Sequence, residues 1–126
     1  MNEGEVRELV ENFRRHDLPL DAVHLDIHYM RGYRVFSVDP KRFPDLKGLA
    51  EDLAEAGVRL VAIIDPGVKA DARYPLFMEA KQRGFFCKLP DGSDLLAPVW
   101  PGTCSFPDFT DPQVRAWWAG QYPQLL

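Results

Sequence analysis

The feature that most constrains this chain is an apolar run, RLVAIIDPG at residues 59–67, which directly follows an amphipathic segment. Hydrophobic side chains between Leu46 and Ala56 recur at helical spacing, and Gly57 is a natural C-terminal cap. A short, continuously apolar run closed by Asp-Pro-Gly is typical of a parallel strand covered on both faces. We therefore predict a helix that leads at once into a buried strand.

A second strand is predicted earlier, at residues 22–29, where the hydrophobic period is two. An amphipathic helix between Glu3 and Arg15 precedes it. The order helix, strand, helix, strand gives a right-handed βαβ unit, so the predicted class is α/β with a parallel sheet. The strand has an apolar back of Val23, Leu25 and Ile27, and a polar front of Ala22, His24, Asp26 and His28.

The remainder of the chain has the character of an excursion from that sheet. Segments Phe85–Leu89 and Leu95–Val99 flank the turn sequence PDGSD, which predicts a β-hairpin. The following VWPGTCSFPDF contains too much proline and glycine to favour either regular element. A last helix is expected from a cap at Thr110 or Asp111 until Pro123 disturbs it.

Composition excludes several classes of partner. The 126 residues suit one domain with a real core. Lys and Arg number 15 against 19 Asp and Glu, the net charge is −4 and no long basic run occurs, so we expect no nucleic-acid partner. No apolar run approaches the ~20 residues of a membrane helix, so we expect no membrane partner.

The N-terminus and the cysteines indicate an ordinary intracellular protein. The first residues are acidic and amphipathic, unlike a secretory signal, which predicts a cytoplasmic location. Cys87 and Cys104 are too few for a disulfide framework, and we expect buried thiols without chemistry. No motif calls for a cofactor.

The His24, Asp26 and His28 cluster could suggest a metal site. Positions 24 and 28 of a strand lie about 13 Å apart, near the limit that two imidazoles could bridge to one ion. We therefore predict no metal site, and we expect His24 to be a hydrogen-bonded interior histidine. Only Asp26 is left without a structural explanation.

Two aspartates lie at the carboxyl ends of the predicted strands, the edge where parallel α/β proteins bind ligands. Asp65 shares a strand face with Ile63, as Asp26 lies near the end of the first strand. The two carboxylates could be an acid and base pair or could accept hydrogen bonds from a polyol, or Asp65 could only cap its own turn. Trp100 could pack under a loop or stack on a sugar ring.

Three stretches together resemble glycoside hydrolase family 31, the α-glucosidases and α-xylosidases. They are LPLDAVHLDIHYMRGYRVFSVDPKRFPD, GVRLVAIIDPGVK and PVWPGTCSFPDFTDPQVRAWW, in the family's order and over nearly the whole chain. The resemblance implies a (β/α)8 catalytic barrel. It also implies cleavage of α-linked sugars with retention, by an aspartate nucleophile and an aspartate acid/base.

The resemblance assigns five positions to substrate binding. Asp26 matches the aspartate that accepts hydrogen bonds from the terminal sugar, and Ile27 matches its neighbour in the pocket wall. Ile63 matches an aliphatic wall residue, Asp65 the carboxylate at that strand's end, and Trp100 the tryptophan of the Val-Trp-Pro-Gly loop motif. The implied ligand is an α-linked oligosaccharide or glucoside.

The chain also departs from the family pattern. His28 and Val35 stand where many members have aspartates. Arg31 replaces the aspartate of Tyr-Met-Asp-Gly, which is a charge reversal beside the pocket loop.

The family's nucleophile motif, Trp-Asn-Asp-Met-Asn-Glu, does not occur in this sequence. We therefore expect residues 1–126 to be a fragment of the barrel, about two parallel strands with flanking helices and a hairpin excursion, with no complete second domain. It would contain no catalytic residue and be inactive alone. The alternatives are a non-catalytic carbohydrate-binding or scaffold remnant from a truncated reading frame, and a small enzyme using Asp26, Asp65 or Asp108.

Such a piece would expose sheet edges and the apolar stripes of helices at 4–15 and 45–56. Exposed edges and apolar faces drive association, so we expect a homo-oligomer, most simply a dimer.

Overall fold

A computed structural model describes residues 1–125 of the chain. It contains four α-helices and five strands, with short 3₁₀ helices at Ile27–Tyr29, Arg31–Tyr33 and Tyr122–Leu125. In chain order the elements are α1 (Glu3–Arg15), β1 (Ala22–Leu25), α2 (Leu46–Glu55), β2 (Arg59–Ala62), β3 (Val68–Lys69), α3 (Pro75–Gln82), β4 (Leu96–Val99), β5 (Gly102–Ser105) and α4 (Pro112–Ala119).

The first two helices begin and end where their sequence signals predict. A capping box starts α1: the Asn2 side chain accepts from the Glu5 N–H at 3.0 Å, and the Glu5 carboxylate accepts from the Asn2 N–H at 2.8 Å. Asp45 caps α2 by accepting from the Gly48 N–H at 2.9 Å. Beyond α2, Gly57 has a φ of 79°, a left-handed conformation that favours glycine.

Strands β1 and β2 are parallel, as predicted, with Ala22 opposite Arg59 and Leu25 opposite Ala62. The prediction of a strand as far as residue 29 is wrong beyond Leu25. Asp26 ends the strand because its carboxylate accepts a hydrogen bond from the Ile27 N–H at 2.7 Å and caps the following 3₁₀ helix.

The excursion is more regular than its composition suggested. Strands β3, β5 and β4 form an antiparallel sheet in that order, so the VWPGTCSFPDF segment contains the end of β4 and all of β5. The predicted hairpin around PDGSD is present only as local pairing, with a Lys88–Asp94 bridge and a 2.8 Å bond from the Leu95 N–H to the Cys87 carbonyl. Strand β3 and helix α3 were not predicted.

Helix α4 begins as predicted but ends at Ala119, before Pro123. Asp111 is its N-cap and accepts from the Gln113 N–H at 2.7 Å, Pro112 is its first residue, and it ends at Ala119. Of the two thiols, Cys104 is buried in β5, and burial raises its pKa, whereas Cys87 is only half-buried. The expectation of buried thiols is therefore met fully by Cys104 alone.

The hydrophobic residues form two separate clusters. The first, which we call the sheet core, lies between α1, α2 and the β1–β2 pair. The second, the excursion core, lies among α3, α4 and the antiparallel sheet. The loop at residues 31–37 connects them, because Met30 belongs to the sheet core and Val35 and Phe36 belong to the excursion core. Within residues 1–125, no helix is both long enough and apolar enough to cross a bilayer.

Candidate functional site

The ends of β1 and β2 bring Asp26 and Ile63 next to each other. The last paired residues are Leu25 and Ala62, and the Ile63 N–H continues the ladder by donating to the Leu25 carbonyl at 3.1 Å. Asp26 and Ile63 are therefore neighbours on adjacent strands, with backbones about 4.8 Å apart. Both residues are exposed, and the Ile63 side chain is 42% exposed.

Tyr29, in the segment that follows β1, is hydrogen-bonded to the residue that follows β2. Its hydroxyl donates to the Ile63 carbonyl at 2.9 Å, and its ring is buried in the sheet core. Burial raises the pKa of Tyr29 to about 12, and the negative charge of Asp65 adds to the effect. The phenol therefore remains protonated at any physiological pH and acts as a fixed hydrogen-bond donor. Sequence analysis did not single out this residue.

Asp65 is half-buried at the end of the same strand run. Among residues 1–125 its carboxylate accepts no hydrogen bond and makes no salt bridge. The interpretation of Asp65 as a cap for the Pro66–Gly67 turn therefore has no hydrogen bond to support it. Its charge is available to a ligand at the carboxyl end of β2.

Trp100 lies at the tip of the β4–β5 hairpin and is 75% exposed. The hairpin packs against the residue before β3, because a Cβ added at Gly67 would lie 2.9 Å from Cγ2 of Val99, the residue before Trp100. Pairing of β3 with β5 holds this approach in place. Within residues 1–125 the indole is therefore not buried under a loop, so the interpretation that Trp100 packs under a loop is wrong.

Ile27 faces the other way from the ligand edge that the resemblance assigned to it. It is half-buried and packs against the sheet core. Asp26 lines a small cavity of about 230 Å³ together with His24, His28 and Tyr29, whereas Ile63, Asp65 and Trp100 do not line it. Asp26, Ile63 and Asp65 thus lie at the carboxyl ends of β1 and β2, whereas Ile27 packs on the sheet core and Trp100 lies at the hairpin tip.

The prediction of an interior His24 is wrong. His24 is exposed, because it lies on the face of β1 opposite the sheet core, where Val23 and Leu25 are buried. His28 is also exposed, and its ring meets the edge of Tyr33 at 5.7 Å. No cluster of three or more possible metal-ligating side chains occurs in residues 1–125.

The loop at residues 31–37 is held in a strained conformation by the excursion. Tyr33 and Phe36 have positive φ values of 59° and 56°, which cost energy for residues with a side chain. Arg34 forms a salt bridge with Asp71, and the Tyr74 hydroxyl donates to the Val35 carbonyl. These contacts bridge more than thirty residues of sequence, so no local pattern could have revealed them.

Asp71 is the negatively charged partner of Arg34 in the salt bridge that holds this loop, which we call the loop clamp. The Arg73 backbone N–H and the Arg34 guanidinium both donate to its carboxylate, and together they lower its pKa to about 2. The side chain is mostly buried. The Arg34–Asp71 salt bridge is therefore charged at neutral pH and holds the loop at residues 31–37 against the excursion.

Asp108, the third aspartate considered for catalysis, is committed to a turn. Its carboxylate accepts from the N–H and hydroxyl of Thr110 at 3.0 and 2.6 Å, and these bonds lower its pKa. It stabilises the entry to α4 and does not share the edge occupied by Asp26 and Ile63.

A family model described as the glycosyl hydrolases family 31 TIM-barrel domain matches residues 1–126. The chain belongs to glycoside hydrolase family 31. It is similar to alpha-glucosidase 2 of Bacillus thermoamyloliquefaciens, with 49% identity over 120 residues, 95% of this chain and 15% of that protein.

Solved family 31 structures share its conformation. The catalytic subunit complex of ER glucosidase II superposes with a TM-score of 0.93 at 31% identity and covers 99% of this chain and 14% of that one. The family 31 alpha-glucosidase from Bacteroides thetaiotaomicron gives a TM-score of 0.84 at 36% identity, over 97% of this chain and 22% of that one. The chain spans less than a quarter of each of these relatives.

The predicted fold class is confirmed. The family 31 chain has the architecture of a partial (β/α)8 barrel, in which β1 and β2 are parallel barrel strands and residues 68–119 form the excursion. In such barrels the active site lies at the carboxyl ends of the strands, which is the edge where Asp26, Ile63 and Asp65 lie.

Proposed function

We propose that this chain forms part of the sugar-binding surface of a family 31 α-glycosidase and takes the terminal sugar of an α-linked oligosaccharide or glucoside. The observation that carries the proposal is the meeting of Asp26 and Ile63 at the carboxyl ends of two parallel strands, with Asp65 two residues further on. A neutral sugar offers hydroxyl donors and apolar ring faces. This edge offers carboxylate acceptors beside aliphatic and aromatic surface.

Each residue has a distinct part in this proposal. Asp26 uses one carboxylate oxygen to cap the 3₁₀ helix, which fixes its rotamer and leaves acceptor capacity for a sugar hydroxyl. Asp65 has no hydrogen bond within residues 1–125 and supplies a second acceptor. Ile63 and Trp100 provide apolar contact, and the indole face suits stacking on a pyranose ring. Ile27 supports the site through its packing rather than by contact.

The chemistry itself is proposed to come from other residues. Retaining hydrolysis needs two carboxyl groups about 5–5.5 Å apart on either side of the scissile bond. The family places both catalytic aspartates outside the motifs found in this chain, so we assign Asp26 and Asp65 to binding. The 126-residue chain alone should not turn over nitrophenyl α-glucoside.

A chimera tests the binding role. Residues 1–126 replace the matching segment of the Bacillus thermoamyloliquefaciens enzyme, whose 49% identity makes the exchange conservative. In an active chimera, Asp26→Ala should lower kcat/KM roughly 10- to 150-fold, because a charged hydrogen bond to a hydroxyl is worth about 1.5–3 kcal/mol. His24→Gln, on the same strand and exposed, is the matched control and should stay within about threefold of the parent chimera.

If His24→Gln cost more activity than Asp26→Ala, the histidine would be the functional group and the assignment of Asp26 would be wrong. Turnover by the isolated chain that disappears with Asp26→Ala, after host enzymes are excluded, would instead make this chain an enzyme by itself.

We further propose that the isolated chain associates with itself. Strand β2 leaves Val61 and Ile63 about two-fifths exposed, and each strand of the β1–β2 pair has a free edge within residues 1–125. A groove of about 420 Å³ beside it is lined mainly by apolar residues of α2 and β2. A second copy that covers these surfaces buries them on both chains.

Sedimentation at micromolar concentration tests this association. We expect a species of about twice the 14.4 kDa chain mass, and Val61→Lys should shift it toward the monomer by placing a charge on the strand face. A single monodisperse 14.4 kDa species with cooperative unfolding would contradict the proposal.

A further inference from the structure

A second cavity lies away from the one that Asp26 lines. It has a volume of about 710 Å³ and opens between the loop at residues 31–37, the start of α3 and the segment that follows α4. Three arginines line it together with polar and apolar groups. The arginines are Arg31, Arg34 and Arg73.

The charges around this cavity do not balance. Asp71 is the only carboxylate within 4.0 Å of any of the three guanidinium groups in residues 1–125, since it pairs with Arg34 and lies 3.5 Å from Arg73. Glu79, the one acidic residue of the lining, is already paired with Arg83 at 2.9 Å. The cavity therefore has a positive excess in a chain whose net charge is −4.

Arg31 contributes most of that excess. Its guanidinium group makes no hydrogen bond and no salt bridge with any other residue of 1–125. Its backbone, however, is fixed: the N–H donates to Ser37 Oγ at 3.1 Å, and the carbonyl accepts from the Arg34 guanidinium at 3.3 Å. The backbone that carries this unpaired guanidinium group is thus fixed by hydrogen bonds within the loop.

Helix α3 adds to the positive field. Its first residues, Pro75 and Leu76, line the cavity, and its N-cap Tyr74 gives no side-chain capping bond. The N–H groups of the first turn and the positive end of the helix dipole favour an anion at this wall.

We propose that this cavity is a binding site for an oxyanion of the phosphate class, held by Arg31 and Arg73. Planar guanidinium groups bind such anions with paired N–H···O bonds, and two of them can approach one anion from different sides. Arg34 is not counted as a ligand, because its largely buried guanidinium group is hydrogen-bonded to Asp71, whereas Arg73 lies 3.5 Å from Asp71 with a side chain that is 88% exposed and free to turn toward an anion. The inference rests on the cavity and its charges and does not depend on the sugar-binding role of Asp26.

Titration of the 126-residue chain with inorganic phosphate, at constant ionic strength and followed by calorimetry, tests the site. We expect saturable binding that weakens at least tenfold in Arg31→Gln and again in the double variant with Arg73→Gln. Both side chains are exposed, so neither change should unfold the chain. The control is Arg59→Gln, which removes the same charge from an exposed position at the start of β2.

Arg59→Gln should bind phosphate within twofold of the parent chain. Equal weakening by Arg31→Gln and Arg59→Gln would show that only net charge matters and would overturn the proposal. Absence of saturable binding in the parent would overturn it as well.

A parallel titration with α-glucose 1-phosphate separates two sources of the anion. Tighter binding than inorganic phosphate, with the gain lost in Asp26→Ala, would place the anion on a sugar ligand that spans both sites. Equal affinity for the two would assign the cavity to a free anion. A gain that persists in Asp26→Ala would count against the role of Asp26 and leave the anion site supported, so the two proposals fail separately.

Discussion

The two sheets of this chain treat the same kind of residue differently. Val61 of the parallel β1–β2 pair is 40% exposed, whereas Val68 of the antiparallel β3–β5–β4 sheet is fully buried. The excursion covers its own sheet with α3 and α4 and completes a core of aromatic side chains. The barrel strands bury one face against α1 and α2 and leave the other open. Parallel strands depend on neighbours that antiparallel hairpins do not need.

The contrast has a consequence for the candidate site. Asp26 and Ile63 lie on the open pair, while Trp100 is presented by the self-contained excursion. The Arg34–Asp71 salt bridge and the hydrogen bond from the Tyr74 hydroxyl to the Val35 carbonyl join the loop at residues 31–37 to the excursion. The excursion is thus linked to the barrel strands through the loop that follows Asp26.

The largest effect is expected in the excursion core. Phe86 is 1% exposed and stacks on Phe77 at 5.5 Å, so Phe86→Ala should lower the free energy of unfolding by about 3–5 kcal/mol. Urea denaturation followed by tryptophan fluorescence measures it. Phe109→Ala, at a partly exposed position, is the control and should cost about 1 kcal/mol. Equal costs would show that the excursion core is not close-packed.

The same substitution at Val68 and at Val61 compares the stability contributions of the two sheets. Val68→Ala should cost about 2 kcal/mol, because a buried side chain loses two methyl groups and leaves a cavity. Val61→Ala should change stability by no more than about 0.5 kcal/mol in the dilute chain. Both values come from denaturant midpoints at low protein concentration. A larger cost at Val61 would mean that the open face is covered within the chain.

The stability of the Arg34–Asp71 salt bridge, which links the loop at residues 31–37 to the excursion, should depend on pH. The pKa of Asp71 is lowered to about 2 in the folded chain, below its value in the unfolded chain, so its contribution is complete above about pH 4–5 and is lost as pH falls toward 2. NMR shifts of residues 31–37 between pH 5 and pH 2 should report this loosening. Asp71→Asn should be loosened at all pH values. An unchanged pH profile in that variant would show that Asp71 is not the titrating group.

Sequence patterns predicted the barrel part better than the excursion. Helices α1 and α2 have capping residues and apolar stripes, and β1 and β2 are apolar runs joined by a short connection. Helix α3 begins at Pro75 after Tyr74, which is not a capping residue, and β5 begins at a glycine. Its pairing with β3 joins residues more than thirty positions apart. Such elements are specified by tertiary contacts that no local period reveals.

The candidate site divides in the same way. Asp26, Ile63 and Asp65 could be placed at one edge because strand ends are visible in the sequence. The exposure of His24 could not be predicted, because the sequence pattern of a polar strand face is the same whether or not another part of the molecule covers it. Tyr29 and Asp71 were missed because their partners, Ile63 and Arg34, are more than thirty residues distant.

Amide hydrogen exchange tests the contrast between the two sheets most directly. The amide of Ile63 donates to the Leu25 carbonyl at 3.1 Å, and that of Ala70 donates to the Thr103 carbonyl at 2.9 Å, so each reports one inter-strand bond. In the dilute 126-residue chain, Ile63 should exchange at least tenfold faster than Ala70, and in the family 31 chimera its protection should rise to match. Equal protection of both amides in the dilute chain would contradict the account, because the barrel strands would then be as self-sufficient as the excursion.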